Sequence, residues 1–237
     1  MSDSLLTGSH ISDYLSSLQP DLPDFLEALY QKARDERIPV IRREAQAFLR
    51  FACIDRQPLK VLEIGTAIGF SSCLTAEFLP ANATILTVEK DEKRYREALG
   101  NISLFASDYQ ARKHLSCPEI QCVLGDAEEF LKNLVSEGNR FDMIFLDAAK
   151  AQYPVYLKLI RMLMHQNSVL IADNVLQEGS VAESKFTVTR RDRTIHLRMR
   201  EFMDDLFRSG EYDSLLLPLG DGIAVSRLSK EETDEKT

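Results

Sequence analysis

Five short apolar runs constrain the fold of this chain more than any other feature. They are LKVLEIG (59–65), ATILTVE (83–89), IQCVLGD (120–126), FDMIFLD (141–147) and SVLIADN (168–174). Each is rich in Val, Ile or Leu and is apolar almost without a break. A strand with one wet face alternates, whereas a run with two apolar faces belongs to a parallel sheet covered on both sides. Amphipathic stretches separate the runs. KDEKRYREALGNISLFAS, for example, sets Tyr95, Ala98, Leu99, Ile102 and Phe105 on one helical stripe. Repeated βα units of this kind predict a doubly wound α/β sheet with helices on both faces.

The ends of the chain read differently. RTIHLRMREFMDDLFRSG carries Ile195, Met199, Phe202, Met203, Leu206 and Phe207 at helical spacing and stops at Gly210. Two further strand candidates follow, YDSLLLP (212–218) and DGIAVSRL (221–228). The few residues between them leave no room for a crossover helix, so they are expected to pair as an antiparallel hairpin. Residues 1–55 read as two or three helices punctuated by Pro20, Pro23 and Pro39, capping the sheet rather than forming a separate domain. The expected organisation is one domain: a helical cap (1–55), an α/β core (56–228) and a solvated tail (229–237). With 237 residues, 44% of them hydrophobic, the chain can bury such a core.

Charge and cysteine usage exclude several classes. A net charge of −8 argues against a generic polyanion binder. The charge is uneven, however: Met1 to Gln31 holds acids and no Lys or Arg, while Lys185 to Arg200 holds six basic residues against Asp192 alone. Cys53, Cys73, Cys117 and Cys122 form no C-x-x-C pair, which reads as reduced thiols rather than a disulfide framework or zinc site. The opening MSDSLLTGSHISD has neither a basic nor a long apolar region of a secretory signal. No apolar run approaches the roughly 20 residues of a membrane span. The expectation is a soluble, cytoplasmic protein with no membrane partner.

Four of the five runs end on or beside an acid: Glu89, Asp126, Asp147 and Asp173. In doubly wound sheets ligands bind beyond those strand ends. VLEIGTAIGFSS (61–72) is a strand, a glycine turn and a helix start, in which Gly65 and Gly69 allow close approach of a ligand. Its G-x-x-x-G pattern departs from the G-x-G-x-x-G of dinucleotide sites and disfavours a nicotinamide cofactor. Glu89 lies about 20 residues beyond the turn, where an acid accepts both hydroxyls of a ribose; the other reading is a solvated neighbour of the cap Asp91. Asp126 suits an adenine amine, or the N-cap of AEEFLKNLV. Asp147, Asp173 and Asn174 offer three hard oxygens on strands expected to be neighbours, suited to Mg²⁺ or a similar divalent ion, although each also suits a cap or turn. Lys150 follows Asp147 by one short turn. Beside a cation its neutral form would be favoured, and it could take a proton or steady an oxyanion; without one it is a solvated loop lysine. Arg190, Arg191 and Arg193 suit phosphate contacts, or a solvated helix face.

Taken together, VLEIGTAIGFSS, TVEKDE, GDAEEF, FDMIFLDAAKAQY, IADNVLQEG and LPLGDGIAVS resemble the cation-dependent O-methyltransferases that use S-adenosylmethionine, the family of catechol and caffeoyl-CoA methyltransferases. The likeness runs from about Ile38 to Ser226. It implies a Rossmann-like class I methyltransferase fold, with a seven-stranded, mostly parallel sheet whose last strand is antiparallel. By position it implies that the methyl donor lies against Glu63, Gly65, Ser71, Glu89, Asp126, Ala127 and Asp147, with Ile41 of RIPVI covering it. It further implies that Asp147, Asp173 and Asn174 hold the metal and that Lys150 assists deprotonation of the acceptor. RIPVI, DNVLQEGSVAE, TRRDR and EYDSLLLPLGDGIAVS resemble most the bacterial methyltransferases acting on 5-hydroxyuridine in the tRNA anticodon loop, which implies phosphate contacts by Arg190, Arg191 and Arg193; with a net charge of −8 that patch has to be local, and a homodimer is expected to build it. A small catechol-like or acyl-CoA-linked phenol is the alternative acceptor. Two positions depart from the family pattern: Ala151 stands where glycine is expected in DAAKAQY, and Gln166-Asn167-Ser168 replaces a glycine pair. A left-handed Asn167 is expected to keep the second turn.

Overall fold

The computed structural model describes residues 14–15, 17–183 and 192–230. Its centre is a seven-stranded sheet in the order β3-β2-β1-β4-β5-β7-β6. The strands are β1 (Lys60–Ile64), β2 (Thr84–Glu89), β3 (Glu119–Leu124), β4 (Phe141–Leu146), β5 (Met164–Ala172), β6 (Tyr212–Leu217) and β7 (Ile223–Leu228). β1 to β5 pair in parallel, and β7 runs antiparallel to both β5 and β6. The hairpin expected from the short LGD connection is therefore present, with Leu217 opposite Ile223 at its closed end. In the central strands continuous apolarity is explained by burial, four of five residues in β1 and five of six in β4 being buried, whereas the edge strand β3 buries none.

Helices cover both faces. They are α1 (Asp24–Asp35), α2 (Arg43–Arg56), α3 (Phe70–Phe78), α4 (Glu92–Lys113), α5 (Ala127–Ser136), α6 (Tyr153–Leu163) and α7 (Arg193–Arg208). α1 buries Leu26, Leu29, Tyr30 and Ala33, the i, i+3, i+4, i+7 pattern that makes one stripe. α1, α2, α3 and α4 pack with one face of the sheet into a single apolar cluster, and α5, α6 and α7 with the other. The two helical stripes read from the sequence are each partly displaced. In α4, Ala98 and Phe105 are buried and Tyr109 extends the buried line, whereas Leu99 stands 42% exposed. In α7, Met199, Phe202 and Leu206 are buried together with His196, and Phe207 faces solvent. The helix carries seven apolar residues, and Leu197 and Phe207 lie beside the buried line 196–199–202–206, so both remain wet.

β5 starts four residues earlier than its apolar core. Phe141 pairs with Met164 and Met143 with Val169, so the residues between form a bulge. No left-handed residue is used there: Asn167 is absent from the positive-φ set, which corrects the expected turn. The Ser168 hydroxyl does the work instead, accepting from the His165 N–H at 2.7 Å and donating to the Phe141 carbonyl at 2.6 Å. Arg56 at the end of α2 donates to the Asn167 carbonyl at 2.6 Å. Ala151 also needs no glycine, because it sits inside the right-handed 3-10 turn Lys150–Gln152.

One glycine is obligatory. Gly65, with φ at +102°, carries the chain from β1 over the end of β4, and a Cβ there would stand 2.1 Å from the Asp147 carbonyl oxygen. Both atoms in that contact are backbone or attached directly to it, so no side-chain rotation relieves it. Gly65→Ala is expected to cost at least about 1–3 kcal/mol from the disfavoured backbone alone. Urea unfolding would check this, with a midpoint below wild type and an unchanged slope.

Candidate active site

Two adjoining cavities open at the C-terminal ends of β1, β2, β3 and β4. One, of about 380 Å³, is lined by residues including Val88, Glu89, Gly125, Asp126, Ala127 and Tyr156. The other, of about 240 Å³, is walled by Pro39, Val40 and Ile41 and includes Ser71, Lys150 and Asn174. Gly65, Ala67, Asp147 and Ala148 line both, so the two are halves of one cleft. The cleft lies where β1 and β4 adjoin, the point at which the strand order reverses. Ligands of doubly wound sheets bind at such a point because the connecting loops diverge there.

The first half holds Glu89 and Asp126. Backbone donors fix the Glu89 carboxylate: Ala67 N–H reaches Oε2 and Asp91 N–H reaches Oε1, each at 2.8 Å. Each oxygen keeps a lone pair for a ligand hydroxyl. Asp126 is the N-cap of α5, accepting from Glu128 N–H at 3.0 Å, and it also meets Lys90 Nζ at 3.0 Å. That lysine, with the backbone donors, holds the Asp126 carboxyl below its ordinary range. The cap role and a ligand role are compatible, since Asp126 remains 43% exposed and lines the cavity.

Glu63 is the buried acid of the site, 2% exposed at the end of β1. Ser71 and Ser72, on the first turn of α3, both donate to it. Burial pushes its carboxyl up to about 7, against the pull of these hydroxyls and Thr87, and the charge of Asp147 raises it further. Among the described residues no cation is seen paired with it.

The second half is organised by Lys150. Its Nζ donates to Asp147 Oδ1 at 2.9 Å, Tyr153 Oη at 2.6 Å and the Asp173 carbonyl at 3.0 Å. Burial alone would favour the neutral amine, but Tyr153 and Asp147 outweigh it and the ammonium is pushed up. Among these neighbours the charged form is favoured. Asp173 is 1% exposed; its Oδ1 accepts from Asn174 N–H at 2.8 Å, and its Oδ2 has no partner. Burial pushes this carboxyl up to about 7, with Asp147 adding to the rise. Asn174 takes a left-handed backbone, φ +55°. A buried carboxylate oxygen left without a donor fits a hard cation, and Asp147 and Asn174 face the same cavity. Among the described residues no three His, Cys, Asp or Glu side chains gather as a ready metal cluster, so the candidate set rests on two carboxylates and an amide.

Thus Ile41, Gly65, Ser71, Glu89, Asp126, Ala127, Asp147, Lys150 and Asn174 all line the cleft, and Glu63 and Asp173 sit just beneath its surface. Arg193 opens α7, while Arg190 and Arg191 lie outside the described residues. Sequence reasoning overlooked Tyr153. It is fully buried, accepts from Lys150, and lies within hydrogen-bonding distance of the Leu146 and Asp173 carbonyls. Its position three residues after Lys150, on the same side of a helical turn, was the available signal. Lys90, Gln152 and Tyr156 were overlooked as well, and nothing in their spacing marked them.

The sheet order, the antiparallel β7 and the cleft at the switch point define a Rossmann-like methyltransferase fold. The O-methyltransferase family model matches residues 14–229, and the chain belongs to that family. A catechol O-methyltransferase of Niastella koreensis is 31% identical over 180 residues, covering 75% of this chain and 77% of the relative. A caffeoyl-CoA O-methyltransferase of Stellaria longipes is 26% identical over 186 residues, covering 77% and 73%. Among solved structures, an O-methyltransferase from Bacillus cereus in complex with SAH superposes with a TM-score of 0.78 at 23% identity, covering 93% of this chain and 97% of that one.

The buried Glu63 has a stability consequence. Its folded carboxyl, near 7, lies above the ordinary value of 4.5. The proton is held more tightly in the folded state, so stability is fully present below about pH 4.5 and falls as pH rises towards 7. Glu63→Gln removes the titration. The melting temperature of the variant, relative to wild type, is expected to rise between pH 5 and pH 8; a constant difference would contradict the buried charge.

Proposed function

We propose that this O-methyltransferase takes its methyl group from S-adenosylmethionine and delivers it to one of two vicinal oxygens, with a divalent cation such as Mg²⁺ held by Asp147, Asp173 and Asn174. The observation that carries the reading is the unpartnered, buried Asp173 Oδ2 beside Lys150, at the inner end of a cleft whose other half suits a nucleoside. The donor's ribose is assigned to Glu89 and its adenine to Asp126 and Ala127. Its amino-acid end is assigned to Glu63, Gly65, Ser71 and Asp147 beneath Ile41, where the uncompensated Glu63 carboxylate matches an ammonium. A bound divalent cation lowers the pKa of a hydroxyl that it ligates. Lys150, kept charged by Asp147 and Tyr153, offers a fixed positive charge to the acceptor oxygen as negative charge builds there.

As acceptor we propose 5-hydroxyuridine at the tRNA wobble position, converted to 5-methoxyuridine. Its 5-hydroxyl and O4 are vicinal oxygens, as in a catechol. What supports a nucleic-acid acceptor is the placement of α7. This helix packs against the Lys150–Gln152 turn and the Ser180–Ala182 turn, and Arg193 opens it. Arg193, with Arg190 and Arg191 just before it, is assigned to anticodon-loop phosphates while the base is splayed into the pocket. The same reading makes the enzyme a cytoplasmic homodimer. A small catechol is the second reading, favoured by the Niastella relative at 31% identity.

Two measurements test this. Methyl transfer to either acceptor is expected to fall to background in excess EDTA and to return with added Mg²⁺; transfer undiminished by EDTA would refute the metal assignment. Replacing Arg190, Arg191 and Arg193 together by Ala is expected to reduce 5-methoxyuridine formation on 5-hydroxyuridine-containing tRNA by at least about tenfold and to flatten its salt dependence. Transfer to catechol should change little. Equal loss on both acceptors, or catechol turnover without tRNA turnover in the wild type, would favour the small phenol.

A further inference from the structure

The wall formed by Pro39, Val40 and Ile41 belongs to no helix or strand, yet it closes one side of the cleft opposite Lys150 and Asn174. A loop in that position needs its backbone held, and one buried polar side chain does so. Gln46, 4% exposed on α2, donates from Nε2 to the Ile41 carbonyl at 2.8 Å. Its Oε1 accepts from Arg43 Nη1 at 3.3 Å. The Arg43 guanidinium in turn reaches both Glu27 oxygens, at 2.6 and 2.7 Å, and lies 3.9 Å over the Tyr30 ring. Glu27 and Tyr30 belong to α1, and the Tyr30 ring meets, at a tilt and 5.7 Å between centroids, that of Phe70, which lines the cleft.

The order of this relay has a purpose that packing alone does not require. A glutamine amide can flip, and the flipped form would set an oxygen against the Ile41 carbonyl. Arg43 is a donor only, so its contact with Oε1 fixes the amide with its NH₂ towards Ile41. Glu27 and the Tyr30 ring then fix Arg43. We propose that Glu27, Arg43 and Gln46 form a positioning relay that holds the Ile41 wall in its ligand-binding place, so that Gln46 sets affinity for the methyl donor without touching it. This rests on the reading that the donor lies against Ile41.

The test separates the relay from that reading. Binding of S-adenosylhomocysteine by calorimetry and steady-state kinetics would be measured for wild type, Gln46→Leu, Gln46→Glu, Arg43→Met and Ile41→Ala. Gln46→Leu removes the donor at similar size, and Gln46→Glu replaces it by an acceptor. Both are expected to raise the dissociation constant about tenfold, the scale of one buried carbonyl left unsatisfied. The turnover number at saturating donor should stay within about twofold. Arg43 is half-buried against a cavity of about 500 Å³ between α1 and α2, so Arg43→Met opens no void in the core and should raise the constant about threefold. If the Gln46 variants do not fold, Arg43→Met alone decides: a raised constant supports the relay and an unchanged one overturns it. Unchanged affinity in folded Gln46 variants, with only a lower melting temperature, also overturns it. If Ile41→Ala leaves affinity unchanged, the placement of the donor has failed; if it weakens binding and the Gln46 variants do not, the relay alone has failed.

Discussion

The turn at Gly65 passes so close to the Asp147 carbonyl that no side chain fits between them, and much of the site follows from that contact. It ties the end of β1 to the end of β4 at the place where the strand order reverses. Gly65 N–H and Thr66 N–H both reach the Val88 carbonyl at 3.2 Å, and Asp147 N–H reaches the Ile64 carbonyl at 3.0 Å. Three strand ends are thereby locked in one register. The loops beyond them, carrying Glu89, Asp147 and the start of α3, diverge from a rigid base. A site built from strand ends and first helical turns has its geometry set by the sheet rather than by the loops.

Against this rigid frame, the charges are left incomplete. Glu77, elsewhere in the molecule, is also a buried acid, but Arg112 and Lys113 neutralise it at 2.8 and 3.1 Å. Glu63 and Asp173 are as deeply buried, and burial drives both towards neutrality. A fold selected for stability alone would pair such groups or replace them with apolar side chains. In the proposed function their missing partners are the ligands. An ammonium beneath Ile41 would complete Glu63, and a cation beside Asn174 would complete Asp173. On that reading stability is given up for binding at both points.

How much of this was legible in the sequence follows from what each signal measures. Continuous apolar runs located all five parallel strands, and they report burial on both faces in β1 and β4 but not in the edge strand β3, none of whose residues is buried. The short LGD connection fixed the hairpin because chain length alone forbids a crossover. The bulge at the start of β5 was not legible, since His165, Gln166 and Asn167 carry no strand signal and their pairing depends on a hydroxyl bonded across the sheet to Phe141. The strand-end acids could be named but not ranked. Asp126 turned out to be both a cap and a cleft residue, and only the burial of Asp173 set it apart from the others. Tyr153 was hidden by its ordinary appearance as a helix-start aromatic. Gln46 was hidden more thoroughly, because a lone glutamine in an amphipathic helix gives no hint of which carbonyl it will meet.

Lys150 shows how a fixed geometry narrows a chemical role. An ammonium has three N–H donors, and here three acceptors take them: Asp147 Oδ1, Tyr153 Oη and the Asp173 carbonyl. The Tyr153 hydroxyl has one proton to give, and it has the Leu146 and Asp173 carbonyls as acceptors at 3.1 and 3.2 Å. Tyr153 is therefore committed to accepting from the lysine. Two of the three partners, a buried phenol and a main-chain carbonyl, cannot move away. The Asp147 carboxylate can, because it is 27% exposed at the cleft and is also assigned to a cation. In the proposed reaction the donor that Lys150 releases from Asp147 is the one that turns towards the acceptor oxygen. The right-handed turn through Ala151 points the side chain back over Asp147 without any glycine. In that proposed role the lysine is a charge held in place, one of whose hydrogen bonds is exchangeable.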